Sequence, residues 1–151
     1  MKEAFTHKSL LILGRGIGQV MFQNNALSGL LMLIGIFLNS WQMGLLAVSG
    51  NIISTSTGRI SGYDRDDIKN GLYGFNGTLV GIAVGVFMHL TVNSLILMAI
   101  ASCASTYIAR FFNMQRMLPG FTTPFILSVW MLLGLCSWLM PDMLLVSDTE
   151  T

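Results

Sequence analysis

Five side-chain amides, Gln19, Gln23, Asn24, Asn25 and Asn76, stand in or beside stretches that carry no charge. Arg15 and Arg59 are separated by forty-three uncharged residues, Lys69 and Arg110 by forty, and Arg116 and Asp142 by twenty-five. A bilayer-spanning helix needs about 20 apolar residues. Each gap therefore holds one crossing or two, and the chain reads as an integral membrane protein. In that setting an amide must find a partner or face a water-filled cavity. Four amides between Gln19 and Asn25, next to Gly14, Gly16 and Gly18, point to irregular backbone lining a cavity. Broken helices of this kind build sites for polar solutes in transporters. No Asp, Glu, Lys or Arg lies inside the apolar stretches, whereas ion-coupled pumps keep one there. His89 is the sole titratable candidate, and a lone His is more often a hydrogen-bonded structural residue. These residue types support passive passage of a neutral polar solute.

The same residues argue against catalysis. There is no nucleophile–base set, P-loop or H-E-x-x-H pattern, so the chain reads as a non-enzyme that needs no cofactor. Gly14-Arg15-Gly16-Ile17-Gly18 looks like part of a dinucleotide turn, but no strand precedes it. Asn76-Gly77-Thr78 matches a glycosylation sequon inside an apolar block, out of reach of that chemistry. Cys103 and Cys136 lie in apolar stretches without metal-ligand spacing and read as buried free thiols. The net charge of +1 argues neither way about nucleic acid, but the charges form no long patch, which argues against it as a partner.

The elements that must position the amides follow from composition. With 53% hydrophobic and 10% charged residues, the 151-residue chain has too little polar surface for a soluble monomer and reads as a single membrane domain, 1–151. A polar N-terminal segment, 1–9, does not read as a cleavable signal. The first apolar block runs from about Ile17 to Ser54, with Asn39-Ser40 as a turn. A charged loop follows over Thr55–Asn70. In the second block, Gly71–Tyr107, the ladder Gly77, Gly81, Gly85 gives one smooth helix face for close packing, and Ala101, Ser102, Ala104 and Ser105 form another. Arg110–Pro119 reads as a connector. Pro124 suits a helix start, Phe121–Met140 is one clear span, and an acidic tail, 142–151, closes the chain.

All eight Lys and Arg fall in clusters at 2–15, 59–69 and 110–116. If each long gap holds two crossings, the clusters share one face, and basic loops favour the cytoplasm. The N-terminus would then be inside and a last span would make five crossings. If the first gap holds one, the clusters split three against five. The expected fold class is an all-α membrane protein. It has about five transmembrane helices plus a re-entrant or broken helical segment, in a multi-pass arrangement in the plasma or inner membrane.

Three stretches carry a family likeness. The run from Arg15 through Gln19, Phe22, Gln23, Asn24 and Asn25 to Gly29 resembles the opening signature of the urea transporter family. So does Gly62-Tyr63-Asp64-Arg65 followed by Gly71-Leu72-Tyr73-Gly74-Phe75-Asn76-Gly77-Thr78-Leu79-Val80-Gly81. Leu118-Pro119-Gly120-Phe121-Thr122-Thr123-Pro124-Phe125 resembles its third landmark. The resemblance implies two homologous halves of opposite orientation around a narrow pore, trimeric association, and passage of urea down its gradient. It implies that Gln19 and Phe22 line the pore, that Phe75 and Leu79 belong to a narrow apolar slot, and that Thr122 sits in the central constriction. Opposed rings admit a flat neutral solute edge-on, and acceptors along one edge replace its water hydrogen bonds. One copy of each landmark is present, so the chain is similar to one half, one inverted repeat, of such a transporter. The expected partners are urea, the lipid bilayer, and either a second copy of this chain or a separate second half. The alternatives are a non-transporting membrane assembly protein and a channel for another small neutral amide or ammonia.

Overall fold

The computed structural model describes residues 2–115 and 120–145, with side chains from residue 6 onward. The described residues form seven α-helices: α1 (Lys2–Gly18), α2 (Ala26–Asn39), α3 (Trp41–Ile60), α4 (Arg65–Lys69), α5 (Gly74–Phe87), α6 (Val92–Gln115) and α7 (Thr123–Leu139), with 3₁₀ turns at Gln19–Met21 and Pro141–Met143. The polar N-terminal segment is thus the first part of α1. Leu118, Pro119, Arg116 and the acidic tail beyond residue 145 lie outside the described residues.

Local chemistry sets the boundaries. Asn25 caps α2, its Oδ1 accepting from Leu27 N–H at 2.9 Å, and Ser40 caps α3, its Oγ accepting from Met43 N–H at 3.3 Å. These side chains satisfy amides that the first helical turn leaves orphaned. Asn39-Ser40 is therefore the turn that the sequence marks. Asp64 caps the short α4 by accepting from the N–H groups of Asp66 and Asp67, and those bonds hold its carboxyl below its ordinary range. Thr91 and Ser94 cap α6 reciprocally, each hydroxyl accepting from the other residue's N–H at 3.2 and 2.9 Å. Pro124 sits in the first turn of α7, where its missing N–H costs nothing.

Two sequence boundaries move. The charged loop expected from Thr55 begins later, because α3 continues to Ile60. Thr55 and Thr57 keep their hydroxyls inside the helix, bonding back to Asn51 Oδ1 at 3.2 Å and to the Ile53 carbonyl at 2.8 Å. The connector expected from Arg110 is likewise helical as far as Gln115. The second apolar block is in turn broken at 88–91. There Leu145 N–H donates to Phe87 O and His89 N–H to Met143 O, both at 2.9 Å, so the C-terminal segment satisfies the freed backbone.

Helices α2, α3, α5, α6 and α7 run alternately between two ends. At one end Ser40, His89 and Leu145 line a common recess. At the other, Arg15 Nη1 donates to the Lys69 carbonyl at 3.2 Å, and the Arg110 guanidinium lies 5.1 Å from the centre of the Tyr63 ring. All three basic clusters thus have members at one end. By length and apolar composition α6 alone suffices for a crossing; the pair α1 and α2, bent by 75°, passes jointly, and α5 and α7 are shorter apolar helices. Large apolar side chains cover the outside, among them Leu38, Trp41, Ile100, Trp130 and Trp138. Apolar surface on that scale marks contact with lipid or protein.

The core is built on α3 and α5. A Cβ at Gly81 would fall on the Leu46 carbonyl, and one at Gly77 on the Gly50 carbonyl and the Ser54 hydroxyl; Gly50 faces Gly77 in the same way. Gly85 meets the Leu46 side chain instead, at 3.2 Å from an added Cβ. Backbone therefore touches backbone, which lets dispersion and short polar contacts replace the hydrophobic drive that lipid cannot supply. Alongside, Ser54 Oγ donates to Ser102 O at 2.9 Å while Thr106 Oγ1 donates to Ser54 O at 3.3 Å, clasping α3 to α6. Leu46, Val80, Val84, Met98, Leu132 and Cys136 fill the space between α3, α5, α6 and α7.

This packing separates two kinds of glycine. Gly81→Ala should lower the thermal unfolding temperature in detergent, at a cost of about 1–3 kcal/mol from overpacking. Gly35→Ala has open space around it and should be neutral or stabilising by up to about 1 kcal/mol. Equal effects of the two substitutions would remove the close α3–α5 contact as their explanation.

Candidate functional site

Four helix ends converge at the basic end of the bundle around a recess of about 300 Å³. Gln19 and Phe22 come from the break between α1 and α2, and Leu72, Phe75 and Asn76 from the start of α5. Ala109 and Asn113 come from the end of α6, and Gly120, Phe121 and Pro124 from the start of α7. The size lies at the small end for ligand sites.

The break makes the first wall. After Gly18 the chain tightens into a 3₁₀ turn and Phe22 takes a left-handed conformation, φ 56°. The loop satisfies its own amides: Phe22 N–H donates to Gln19 O at 2.8 Å and Gln23 N–H to Gly18 O at 3.0 Å. Gly29 permits the elbow, since a Cβ there would fall on the Gly14 carbonyl. Asn70, from the loop before α5, holds the elbow from outside. Gln19 Nε2 donates to its carbonyl at 3.0 Å and Asn24 Nδ2 to its Oδ1 at 3.1 Å.

The opposite wall repeats the strain. Phe121 is also left-handed, φ 41°; with Phe22 it completes the set of non-glycine residues with positive φ among the described residues. A bulky residue there costs of order 1–3 kcal/mol, and such residues cluster at functional sites. The two rings meet edge to face, centroids 5.7 Å apart and planes at 86°. Both are largely exposed, at 63% and 57%, so they stand at the open mouth, whereas Phe75 is buried at 6% in the floor.

Polar atoms are fixed by their partners. Asn76 is 1% exposed, and its Oδ1 accepts from Phe125 N–H at 3.0 Å. That bond caps α7, where Thr122 makes no side-chain cap. A donor on Phe125 demands the oxygen, so the Asn76 Nδ2 is the atom left for the recess. Gln19 commits its Nε2 to Asn70, so its Oε1 is left as an acceptor. Asn113 adds a third amide at the rim, set beside the Tyr73 hydroxyl. The recess thus presents donors and acceptors beside aromatic rings, with no charged group among the described residues that line it. That combination suits a small neutral solute with both N–H and carbonyl groups.

The structure brings Gln19, Phe22 and Phe75 to one recess. Leu79 and Thr122 are not in its lining. Leu79 is half-buried one turn beyond Phe75 on the same face of α5, about 6 Å along the axis. Thr122 contributes its carbonyl to Ile126 N–H at 3.0 Å. Gly77 and Gly81 face α3 rather than the recess. Sequence reasoning passed over Phe121, Asn113 and Leu72. The signal for Phe121 was its place in the third family landmark; nothing in the spacing marks Asn113. His89 is exposed at the far end, where its backbone N–H donates to Met143 O. Cys103 is half-buried, its Sγ 3.3 Å from Thr57 Oγ1, and Cys136 is buried; both are free.

Against known proteins, the family model described as "UT: Urea transporter" matches residues 10–145. "Urea transporter 1" of Mus musculus is 41% identical over 75 residues, covering 50% of this chain and 20% of that protein. The Rattus norvegicus protein of the same name is 42% identical over 73 residues, 48% of this chain and 19% of its own length. "Urea transporter 1" of Ovis aries is 40% identical over 73 residues. The matched stretch thus spans about a fifth of the length of these relatives.

The Asn76 bond can be tested apart from any transport. Asn76→Leu keeps the volume and deletes the acceptor, leaving Phe125 N–H orphaned. It should destabilise the folded protein by about 1–3 kcal/mol, read as a lower unfolding temperature in detergent. A Leu variant as stable as the parent would show that α7 needs no cap from α5.

Proposed function

The chain belongs to the urea transporter family, and from that membership we propose that it forms one wall of a passive, channel-like passage for urea across a cell membrane. The observation that carries the reading is the recess lined by Phe22, Phe75 and Phe121, with Gln19 Oε1 and Asn76 Nδ2 left available by their own hydrogen bonds. Urea is flat and neutral, with four N–H bonds and one carbonyl. Its N–H groups meet Gln19 Oε1 and its carbonyl meets Asn76 Nδ2, while the rings hold it edge-on. Each such bond is worth about 1 kcal/mol net, which is weak enough for release, as conduction requires. Leu79, one turn beyond Phe75, continues the apolar side of the path, and Thr122 offers its hydroxyl near the start of α7.

Helices α2, α3, α5, α6 and α7 are the five crossings of this multi-pass arrangement, and α1 is the segment that breaks away from α2. The basic end faces the cytoplasm by the bias of Lys and Arg. That orientation bears on the partner. Two copies of this chain share one charge bias and insert the same way. The wall that faces Phe22 and Phe121 is therefore an oppositely oriented half, either a further segment of the same polypeptide or a separate chain.

Urea efflux from membrane vesicles of the source cells tests this reading, because such vesicles hold whatever completes the passage. Deleting this chain should abolish fast urea permeability, and restoring it should recover the flux without dependence on an imposed membrane potential. Gln19→Ala should slow urea about fivefold, one hydrogen bond's worth, and Phe22→Ala should weaken discrimination of urea from acetamide. Unchanged urea permeability on deletion, or a current scaling with voltage, would contradict the proposal.

A further inference from the structure

Two of the basic clusters meet in a cleft at the basic end of the bundle that shares no lining residue with the recess. Lys8 and Arg15 of α1, Arg59 at the end of α3 and Lys69 at the end of α4 line it, over a floor that includes Leu11 and Ile12. Its volume is about 400 Å³. Four cations gathered from three helices repel one another, and the described residues supply little to neutralise them. Lys69 lies 3.5 Å from Asp66, an exposed pair of the kind that contributes little. Arg15 donates to a backbone carbonyl, that of Lys69, at 3.2 Å. Lys8 and Arg59 are exposed and make no hydrogen bond or ion pair among the described residues. Such a cleft is incomplete without an anion.

The surroundings say which anion. Leu11 also lines a second, almost wholly apolar groove of about 550 Å³ beneath α1, together with Leu10, Leu13, Ile17, Leu27 and Leu30. A 75° bend separates α1 from α2. With α2 crossing the bilayer, α1 lies near the membrane plane, where amphipathic helices sit at the headgroup boundary. The cleft is then level with lipid phosphates, and the groove is level with the first part of the acyl chains. Basic pockets on the cytoplasmic side of membrane proteins recognise anionic headgroups by this arrangement.

We propose that the Lys8, Arg15, Arg59 and Lys69 cleft binds the phosphodiester headgroup of an anionic phospholipid, whose acyl chain runs past Leu11 into the apolar groove. The lipid neutralises the cluster and fixes the elbow between α1 and α2 that carries Gln19 and Phe22. A free phosphate shares the headgroup chemistry but leaves the groove empty.

Native mass spectrometry of the purified chain in a neutral detergent tests the site. The probes are dioctanoyl phosphatidylglycerol, dioctanoyl phosphatidylcholine and inorganic phosphate. The glycerol lipid should bind at least tenfold more tightly than the choline lipid, and millimolar phosphate should not displace it. Lys8→Gln with Arg59→Gln should weaken it about 30-fold, at roughly fivefold per charge near a membrane surface. Lys8→Arg with Arg59→Lys should restore binding, and Arg65→Gln, outside the cleft, should leave it unchanged. Equal affinity for the two lipids, an unaffected double variant, or displacement by phosphate would each overturn the assignment. The lipid comparison on the parent protein decides the matter even if a variant fails to fold.

Discussion

Inside a bilayer a helix cannot simply stop. Each end frees backbone groups that lipid cannot hydrogen-bond, so every interior end must be closed by protein. Here several ends lie within the bundle, and their closures shape the recess. The break after Gly18 closes on itself through Phe22 N–H, Gln23 N–H and the Asn25 cap. Helix α7 is closed by the side chain of Asn76, which reaches across from α5 to Phe125 N–H. These closures leave particular atoms over: the second atom of each amide, Gln19 Oε1 and Asn76 Nδ2, lies on the same small space. Structure and site are therefore one arrangement of hydrogen bonds.

The rest of the fold makes that arrangement rigid. Close contact along Gly50, Gly77 and Gly81 fixes α5 against α3, and so fixes the height of Asn76 and Phe75. Asn51 Nδ2 donates to the Leu13 carbonyl at 3.0 Å, tying α3 to α1 just before the elbow. The serine and threonine clasp between α3 and α6 positions the helix that carries Ala109 and Asn113. Against this framework the left-handed Phe22 and Phe121 are over-determined by neighbours on both sides, which is how a strained backbone persists.

The parts legible in the sequence were those governed by local chemistry. Uncharged runs gave the apolar elements, Asn39-Ser40 the turn, Pro124 a helix start, and the amides around Gln19–Asn25 the irregular backbone. The parts hidden were those decided across the fold. Nothing local says that Thr55 and Thr57 keep α3 helical, that residues 143–145 close the break at 88–91, or that Asn113 reaches the rim. Asn76 is the instructive case. As a sequence feature it was an amide in an apolar block beside a weak sequon; its role as the cap of a helix forty-nine residues away depends on a partner that only the assembled fold supplies. Of the motif-derived positions, Gln19, Phe22 and Phe75 share the recess while Leu79 and Thr122 stand apart from it, because a motif records neighbourhood in sequence and not depth along the path.

The central claim is that the recess lined by Gln19, Phe22, Phe75, Asn76 and Phe121 receives urea. A high-resolution structure of the protein isolated with whatever completes its passage, prepared in saturating urea, tests it most directly. The account predicts a planar density in the recess beside the two rings, its nitrogen within hydrogen-bond distance of Gln19 Oε1 and its oxygen within reach of Asn76 Nδ2. A recess sealed by neighbouring side chains or lipid, with urea bound elsewhere, would contradict it.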